Sequence, residues 1–221
     1  MVFTTVIRAR AFSDNPLVYG SDILTGTYLI NTYNALPVFS IVCDPDELWS
    51  ETDGLLVFGA NGVKEAAGKL PFKNTVYGQF GKIPRPVYVE YYSLDGSQIL
   101  SQDAQFSLMG DYSLDMPQKS MKFRAKSLYG AKTFSAALFE DRPYTEYKSF
   151  VLRNSGNDCM FSRVADGFQS LLVDAYQAQT TYAEDTIPVV HQAWKPVVVY
   201  LNGVYWGHMN LRERVDRYFV A

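Results

Sequence analysis

Short segments in which apolar and polar residues alternate recur along this sequence, and they favour strands over helices. Residues 4–12, 86–92, 99–110 and 119–126 each alternate with a period of two. This is the pattern of a half-buried strand, whose successive side chains point to opposite faces of a sheet. In the first of these segments we expect the small and apolar set, which includes Ile7, to face a core. Residues 25–31 and 149–154 also read as strands, so the chain is predicted to be rich in β-structure.

Two dipeptides predict tight turns between strands. Asp95-Gly96 separates two alternating segments, and Asn202-Gly203 divides the apolar segment 196–211. Asp or Asn followed by Gly favours a two-residue hairpin, because these residues accept the positive φ angles that such a turn requires. We therefore predict antiparallel hairpins at both sites, with a type I′ turn at the second.

Residues 162–177 have helical rather than strand periodicity. Their apolar side chains fall on one stripe: Val164, Phe168, Leu171, Leu172 and Ala175. Residues 44–49 predict one further helical turn, and the five glycines and two prolines of residues 59–84 indicate an irregular connection. The predicted fold class is therefore α+β, a mainly antiparallel sheet with one main helix.

Composition and motifs exclude several classes of function. A net charge of −3 provides no bulk attraction to nucleic acid or to an anionic membrane surface. No run of 18 apolar residues is present, so no membrane-spanning helix is predicted. Two histidines and two cysteines rule out a disulfide-dense scaffold and a histidine-based metal site. Whether Cys43 and Cys159 are bridged stays open, although a free buried pair is favoured.

The carboxy-terminal half carries motifs of a known family. The segment PVVVYLNGVYWGHMNLRERVD at 196–216 resembles the spore-coat H (CotH) family of atypical protein kinases. So do KSFVLRNSGND at 148–158, PQKS at 117–120 and YG at 129–130, in the order found in the family. The resemblance implies a fold like the small lobe of a protein kinase, in which a phosphate-covering loop, a lysine strand, a helix and two strands lead to a hinge.

The first residues resemble a different kind of domain. TTVIRARAF at 4–12 and TGTYLIN at 25–31 are similar to the last strands of a chitobiase-type β-sandwich. LPVFSIVCDPDELW at 36–49 resembles the segment that often precedes a CotH domain in longer surface proteins. The expected organisation is therefore a partial β-sandwich over residues 1–33, followed by a CotH-like small lobe and hinge over residues 34–221.

The resemblance implies ATP and Mg²⁺ as cofactors and phosphoryl transfer to serine of a protein, such as a serine-rich surface or coat protein. It also implies an extracellular, cell-surface or spore-coat location. The family's catalytic and metal-binding aspartates lie after the hinge, in a larger lobe with a WDxD-like motif. No WD dipeptide occurs in this sequence. We therefore expect a truncated kinase domain without a catalytic base or metal ligand of its own.

The resemblance implies a nucleotide site around the segment 110–119. Gly110 and Ser113 belong to the loop that covers the phosphates, and Lys119 begins the strand that follows. A lysine at this place would neutralise phosphate charge. The alternative is a solvated strand lysine, and Lys122 and Lys126 compete for the same role.

Two acidic residues complete the predicted site. Asp166 matches the family's helix acid and would orient Lys119, although an acid in a first helical turn also suits the helix dipole alone. Glu213 lies at the expected hinge, where backbone groups would meet an adenine and the side chain would cap a helix or bind the larger lobe. For residues 153–158 we favour a helix-capping turn over a phosphate contact.

Three functions remain open at this point. The first is a fragment of a CotH-like protein kinase, and the second is a non-catalytic surface, adhesion or spore-coat binding module that keeps the fold. The third is carbohydrate binding through exposed tyrosine and tryptophan side chains. No serine-hydrolase, zinc-protease or P-loop motif is present to suggest another chemistry.

Overall fold

A computed structural model describes residues 3–59, 75–154 and 192–217 of the chain. Within these ranges the elements in chain order are β1 (Phe3–Ala9), β2 (Leu24–Ile30), β3 (Val38–Val42), α1 (Pro45–Trp49), α2 (Val76–Phe80), β4 (Arg85–Tyr92), β5 (Gln98–Met109), a 3₁₀ helix (Tyr112–Asp115), β6 (Ser120–Arg124), β7 (Phe134–Ser135), β8 (Glu146–Tyr147), β9 (Ser149–Arg153), β10 (Trp194–Leu201) and β11 (Val204–Glu213). The strand segments predicted from alternation are therefore confirmed.

Seven strands close into a barrel in the order β10-β11-β9-β6-β5-β4-β3. All neighbouring pairs are antiparallel except β10 and β3, whose parallel pairing brings Val198 beside Val38 and closes the barrel. The predicted α+β class, a mainly antiparallel sheet with one main helix like the small lobe of a kinase, is therefore wrong for the described chain, whose two α-helices have five residues each. Alternation specifies strands and hairpins, but it carries no information on closure between strands far apart in sequence. The helix predicted at 162–177 lies outside the described residues.

Both predicted hairpins are confirmed. Antiparallel β10 and β11 turn at Asn202-Gly203, where the φ angles are 49° and 80°. Positive φ at both central residues defines the type I′ turn. The turn between β4 and β5 contains Gly96 at a φ of 84°.

The barrel interior is filled by aromatic rings from several strands. The centroid of the Phe39 ring lies 5.7 Å from that of the Phe123 ring and 5.3 Å from that of the Phe150 ring. The Phe106 ring stacks on the Phe123 ring, with 6.0 Å between their centroids. All four side chains are fully buried or nearly so. Such rings supply much of the apolar area that a domain removes from water, and their offset and edge contacts add to it.

Strands β1 and β2 form a separate two-stranded sheet that lies against the outside of the barrel. The Thr27 hydroxyl is 2.7 Å from that of Ser40 on β3, and the Thr27 amide donates to the Glu90 carboxylate on β4. The expectation that Ile7 faces a core is wrong, because 53% of this side chain is exposed. Two strands bury only the residues that meet another element, and the core-facing contacts here belong to β2.

The segment predicted to be irregular contains α2. The Thr75 hydroxyl accepts a hydrogen bond from the Gly78 amide and so caps the helix, and Gly81 follows its last residue. The predicted helical turn after Asp44 is also confirmed, since the Asp44 side chain caps α1. Within the described ranges, no helix is long and apolar enough to cross a membrane.

Candidate functional site

Lys119 lies immediately before β6 and is only 4% exposed. The strand period places it on the same face as Met121 and Phe123, which fill the barrel interior. Its Nζ donates hydrogen bonds to the carbonyl oxygens of Leu114, at 2.7 Å, and Met116, at 3.0 Å. The loop before β6 thus folds back over the lysine and presents carbonyl oxygens to the ammonium.

The Lys119 ammonium also lies over an aromatic ring from α2. Its Nζ is 3.7 Å from the centroid of the Tyr77 ring, within the range of a cation–π contact. The Tyr77 hydroxyl donates to the Asp115 carboxylate at 3.1 Å. Burial raises the pKa of Tyr77 to about 12, and the negative charge of Asp115 acts in the same direction. Tyr77 is therefore a neutral ring at physiological pH.

Gly110 begins the loop and makes its tight course possible. Its φ angle is 118°, a conformation that side chains with a Cβ rarely adopt. A Cβ at this position would lie 2.1 Å from the Ser113 hydroxyl oxygen. Gly110 and Ser113 are thus in direct contact, as members of one loop, and this loop also supplies the partners of Lys119.

Neighbouring strands hold the end of this loop. The Gln118 side chain donates to the Trp206 carbonyl on β11 at 3.1 Å, and the Asn154 side chain donates to the Gln118 carbonyl. Ser120 donates to the Asn154 side chain at 2.7 Å. Asn154 therefore joins the end of β9 to the start of β6, and Lys119 lies between two fixed residues.

Glu213 lies elsewhere in the barrel. It is paired in register with Phe150, which is paired with Phe123, so it is level with a residue four positions beyond Lys119. At the rise of a strand, that offset alone is about 13 Å. Glu213 therefore does not join the group formed by Gly110, Ser113 and Lys119.

Buried Glu213 organises a second polar cluster. Its carboxylate accepts hydrogen bonds from Arg142 Nε at 2.9 Å, from the Tyr144 hydroxyl and from the Ala193 amide at 2.8 Å. Its backbone amide donates to the Ala193 carbonyl, and its own carbonyl accepts from the Gln192 side chain. Both backbone groups and the side chain of Glu213 are therefore bonded within the protein.

The competing lysines have different surroundings. Lys122 lies on the opposite face of β6 from Lys119 and is half-buried, and burial lowers the pKa of its ammonium, with the charge of Arg214 acting in the same sense. Lys126 follows the end of β6 and is partly exposed. Of these lysines, Lys119 is the one bonded to the loop that begins at Gly110. Asp166, the predicted partner of Lys119, lies outside the described residues.

Tyr77 was not identified from the sequence. Thr75 as a helix cap and Gly81 after the last helical residue were the signals that could have revealed α2. Nothing in the sequence placed the ring of that helix on Lys119, because the contact joins two elements about forty residues apart.

The charged group of this site is a cation and not a set of metal ligands. Lys119 supplies a buried ammonium, the type of group that pairs with phosphate oxygens. No group of three or more His, Cys, Asp or Glu side chains in the described ranges is arranged to hold a metal ion. Cys43 is a free buried thiol, and burial raises its pKa to about 12, which keeps it protonated.

Comparison with known proteins assigns the larger part of the chain. The profile of the family described as CotH kinase protein matches residues 106–221, slightly more than half of the sequence. The matched region begins in β5 and includes the loop from Gly110, Lys119 and Glu213. No curated protein matches the sequence significantly.

Proposed function

Because the chain belongs to the CotH kinase protein family, we propose that it forms the nucleotide-binding part of a kinase-like phosphotransferase that uses ATP to phosphorylate serine in a protein. The observation that carries this proposal is the buried ammonium of Lys119 beneath the loop that begins at Gly110. Phosphoryl transfer depends on positioning and on charge stabilisation, so a fixed cation next to a glycine-containing loop is a central requirement.

In the proposed mechanism Lys119 pairs with phosphate oxygens of ATP. The Leu114 and Met116 carbonyls now accept its hydrogen bonds, and carbonyl oxygens repel an anion. The loop therefore has to turn these carbonyls away when nucleotide binds. Gly110 suits this movement because it lacks the side chain that would restrict its φ angle. We assign the Ser113 hydroxyl, which lies against Gly110 in the same loop, as a further phosphate donor.

Glu213 has a supporting role in this proposal. Since its amide already donates to the Ala193 carbonyl, that amide is not available to an adenine in the present arrangement. We assign Glu213 to holding the end of β11 through Arg142 and Tyr144. Asp166 keeps its proposed role as the acid that orients Lys119, and we assign no catalytic base or metal ligand to residues of this sequence.

Family membership supports two further parts of the proposal. The substrate would be a serine-rich surface or coat protein, and the protein would act outside the cell, at its surface or in a spore coat. The Mg²⁺ that accompanies ATP would be bound through its phosphates. When bound, ATP supplies the transferred phosphoryl group, and Lys119 orients the phosphates beside the loop.

A non-catalytic binding module remains the second candidate, and the surface of the first 33 residues favours it. Large apolar side chains are exposed there: Phe12, Leu17, Val18, Tyr19, Leu24, Tyr28 and Tyr33. Exposed apolar side chains supply the contacts of a binding surface when they lie together. This candidate requires no nucleotide, so a binding measurement separates the two.

Calorimetric titration of the chain with Mg·ATP tests the proposal, with Lys119→Met and Lys126→Met as matched variants. Methionine keeps the apolar stem of lysine and removes the charge. We expect binding by the natural chain and a loss of affinity of about tenfold or more in Lys119→Met, since hydrogen bonds to charged groups contribute about 1.5–3 kcal/mol. Lys126→Met should bind within about twofold of the natural chain.

Equal losses in the two variants would remove Lys119 from the site. Absence of binding by the natural chain would contradict the nucleotide-binding role and leave the binding module. Circular dichroism of each variant is the control, because Lys119 is buried and its replacement has to leave the barrel folded.

A further inference from the structure

We propose that Tyr77 is the positioning residue for Lys119, and that its ring holds the ammonium in place while the loop exchanges its carbonyls for phosphate. This inference rests on the proposed function, because it assigns a role within the same site. Tyr77 belongs to α2, outside residues 106–221 that match the family, so family membership does not predict it.

The first reason for this proposal is the set of contacts around the Lys119 ammonium. Lys119 Nζ donates to two carbonyls of the loop and also lies 3.7 Å from the centroid of the Tyr77 ring. A ring face attracts a cation without competing for its hydrogen bonds, and the attraction increases when water is excluded. The ring therefore fixes the ammonium from one side and leaves its N–H groups directed at the loop.

The second reason is that Tyr77 is held in place by residues outside the loop. Its amide donates to the Val57 carbonyl at 3.0 Å, and its carbonyl accepts from the Gly81 amide at 2.9 Å. Its ring also lies 6.3 Å from that of Phe58. These three contacts are made outside the loop from Gly110. When the loop moves, the carbonyls leave Lys119, while the backbone of α2 still holds the ring.

A hydrogen bond connects the Tyr77 side chain to the loop. The Tyr77 hydroxyl donates to Asp115, which belongs to the 3₁₀ helix of the loop. The hydroxyl thus favours the closed loop, whereas the ring holds the lysine in both arrangements. The two functions of one side chain can be separated by substitution, since phenylalanine keeps the ring and leucine removes both.

Acetylation of Lys119 tests this inference without nucleotide. The chain is treated with N-hydroxysuccinimidyl acetate, and the rate at Lys119 relative to Lys126 is measured by peptide mass spectrometry. We expect Tyr77→Leu to raise the relative rate about tenfold, the change that corresponds to loss of a desolvated cation–π contact. Tyr77→Phe should stay within about threefold of the natural chain, because the ring is kept and only the hydroxyl with its hydrogen bonds is lost.

Phe58→Leu is the control for a loosened helix. This variant alters the packing next to the Tyr77 ring and leaves the contact between the ring and Lys119 intact. The acetylation rate of Lys119 relative to Lys126 should therefore not change. A rate in Tyr77→Leu equal to that of the natural chain overturns the inference, as does an equal increase in Phe58→Leu. A relative acetylation rate in Tyr77→Phe as high as that in Tyr77→Leu also overturns it.

A second arm measures Mg·ATP affinity in the same variants. We expect Tyr77→Leu to bind about tenfold more weakly and Tyr77→Phe to retain the affinity of the natural chain or exceed it. If the natural chain binds no ATP, the proposed function fails, and the acetylation rates still decide whether Tyr77 holds Lys119. If ATP binds equally to all variants, the nucleotide site stands and the positioning role of Tyr77 is wrong.

Discussion

The barrel and the small β1–β2 sheet have similar alternating sequences but differ in how much apolar surface they bury. In the barrel, the inward side chains of seven strands meet one another, and Phe39, Phe123 and Phe150 are completely buried. In the small sheet, Ile7 and Tyr28 are more than half exposed. Alternation therefore shows that a strand has two unlike faces, and the number of strands around it decides whether one face is buried.

The boundary between the two regions is mainly polar. Glu90 is fully buried there, and one of its carboxylate oxygens accepts hydrogen bonds from the Thr27 amide, the Tyr92 hydroxyl and the Gln98 side chain. Close by, Leu29 packs against a small cluster that includes Val38 and Val198. The small sheet is thus attached by hydrogen bonds and a few apolar contacts, whereas the barrel is held by a continuous core.

The largest expected effect is loss of the central ring of the barrel. Phe39→Ala leaves a cavity among three aromatic rings and should lower the free energy of unfolding by about 3–5 kcal/mol. Phe12→Ala, at a side chain that is 77% exposed, should change it by less than about 0.5 kcal/mol. Urea denaturation followed by tryptophan fluorescence measures both, and similar losses would contradict the contrast between the two regions.

An intermediate effect is expected at the polar boundary. Glu90→Ala removes the acceptor of three hydrogen bonds and should destabilise the attachment of the small sheet by about 1–3 kcal/mol. The loss should be local, with faster hydrogen exchange at the Thr27 amide and unchanged exchange at barrel residues such as Leu152. Exposed Glu51→Ala is the matched control. Uniformly faster exchange across the barrel would show that Glu90 supports the core and not the attachment of the small sheet.

The smallest effect up to about pH 10 is a dependence of barrel stability on alkaline pH, and it grows as more tyrosines ionise in the unfolded chain. Burial raises the pKa of Tyr77 and of Tyr144 to about 12, and for Tyr144 the bond to Glu213 adds to the increase. A folded-state pKa above the unfolded value of about 10 means that the unfolded chain loses its protons first. Stability should therefore be constant below about pH 9 and fall between about pH 10 and pH 12.

Thermal unfolding between pH 8 and pH 12 measures this effect. Tyr88, Tyr91, Tyr92 and Tyr147 also have pKa values raised by burial, and Tyr144→Phe removes one member of this set, so the decline should become shallower in that variant. A decline of the same steepness in the natural chain and the variant would show that Tyr144 makes no contribution to it.

The candidate site was predictable in part. Lys119 and the loop residues Gly110 and Ser113 followed from motif resemblance, and the structure brings these three together. Tyr77 could not be found in this way, because its contact with Lys119 joins elements that no local pattern connects. Glu213 was expected at the hinge end of the nucleotide site, and only the strand register shows that it lies level with Phe123, four positions beyond Lys119. Register depends on which strands pair, and that information is not local.

By itself, the sequence determined the strands, the two hairpin turns and the capped helical turn after Asp44. These depend on interactions between residues a few positions apart: alternation, the positive φ angles tolerated at Asn202-Gly203, and a side chain that accepts from the first turn of a helix. Only the tertiary structure decided that β3 pairs with β10 and closes the barrel, that Ile7 is exposed, and that Tyr77 lies beneath Lys119. The physical reason is that burial and pairing depend on residues far apart in the chain, whose contacts form only when the whole sheet closes.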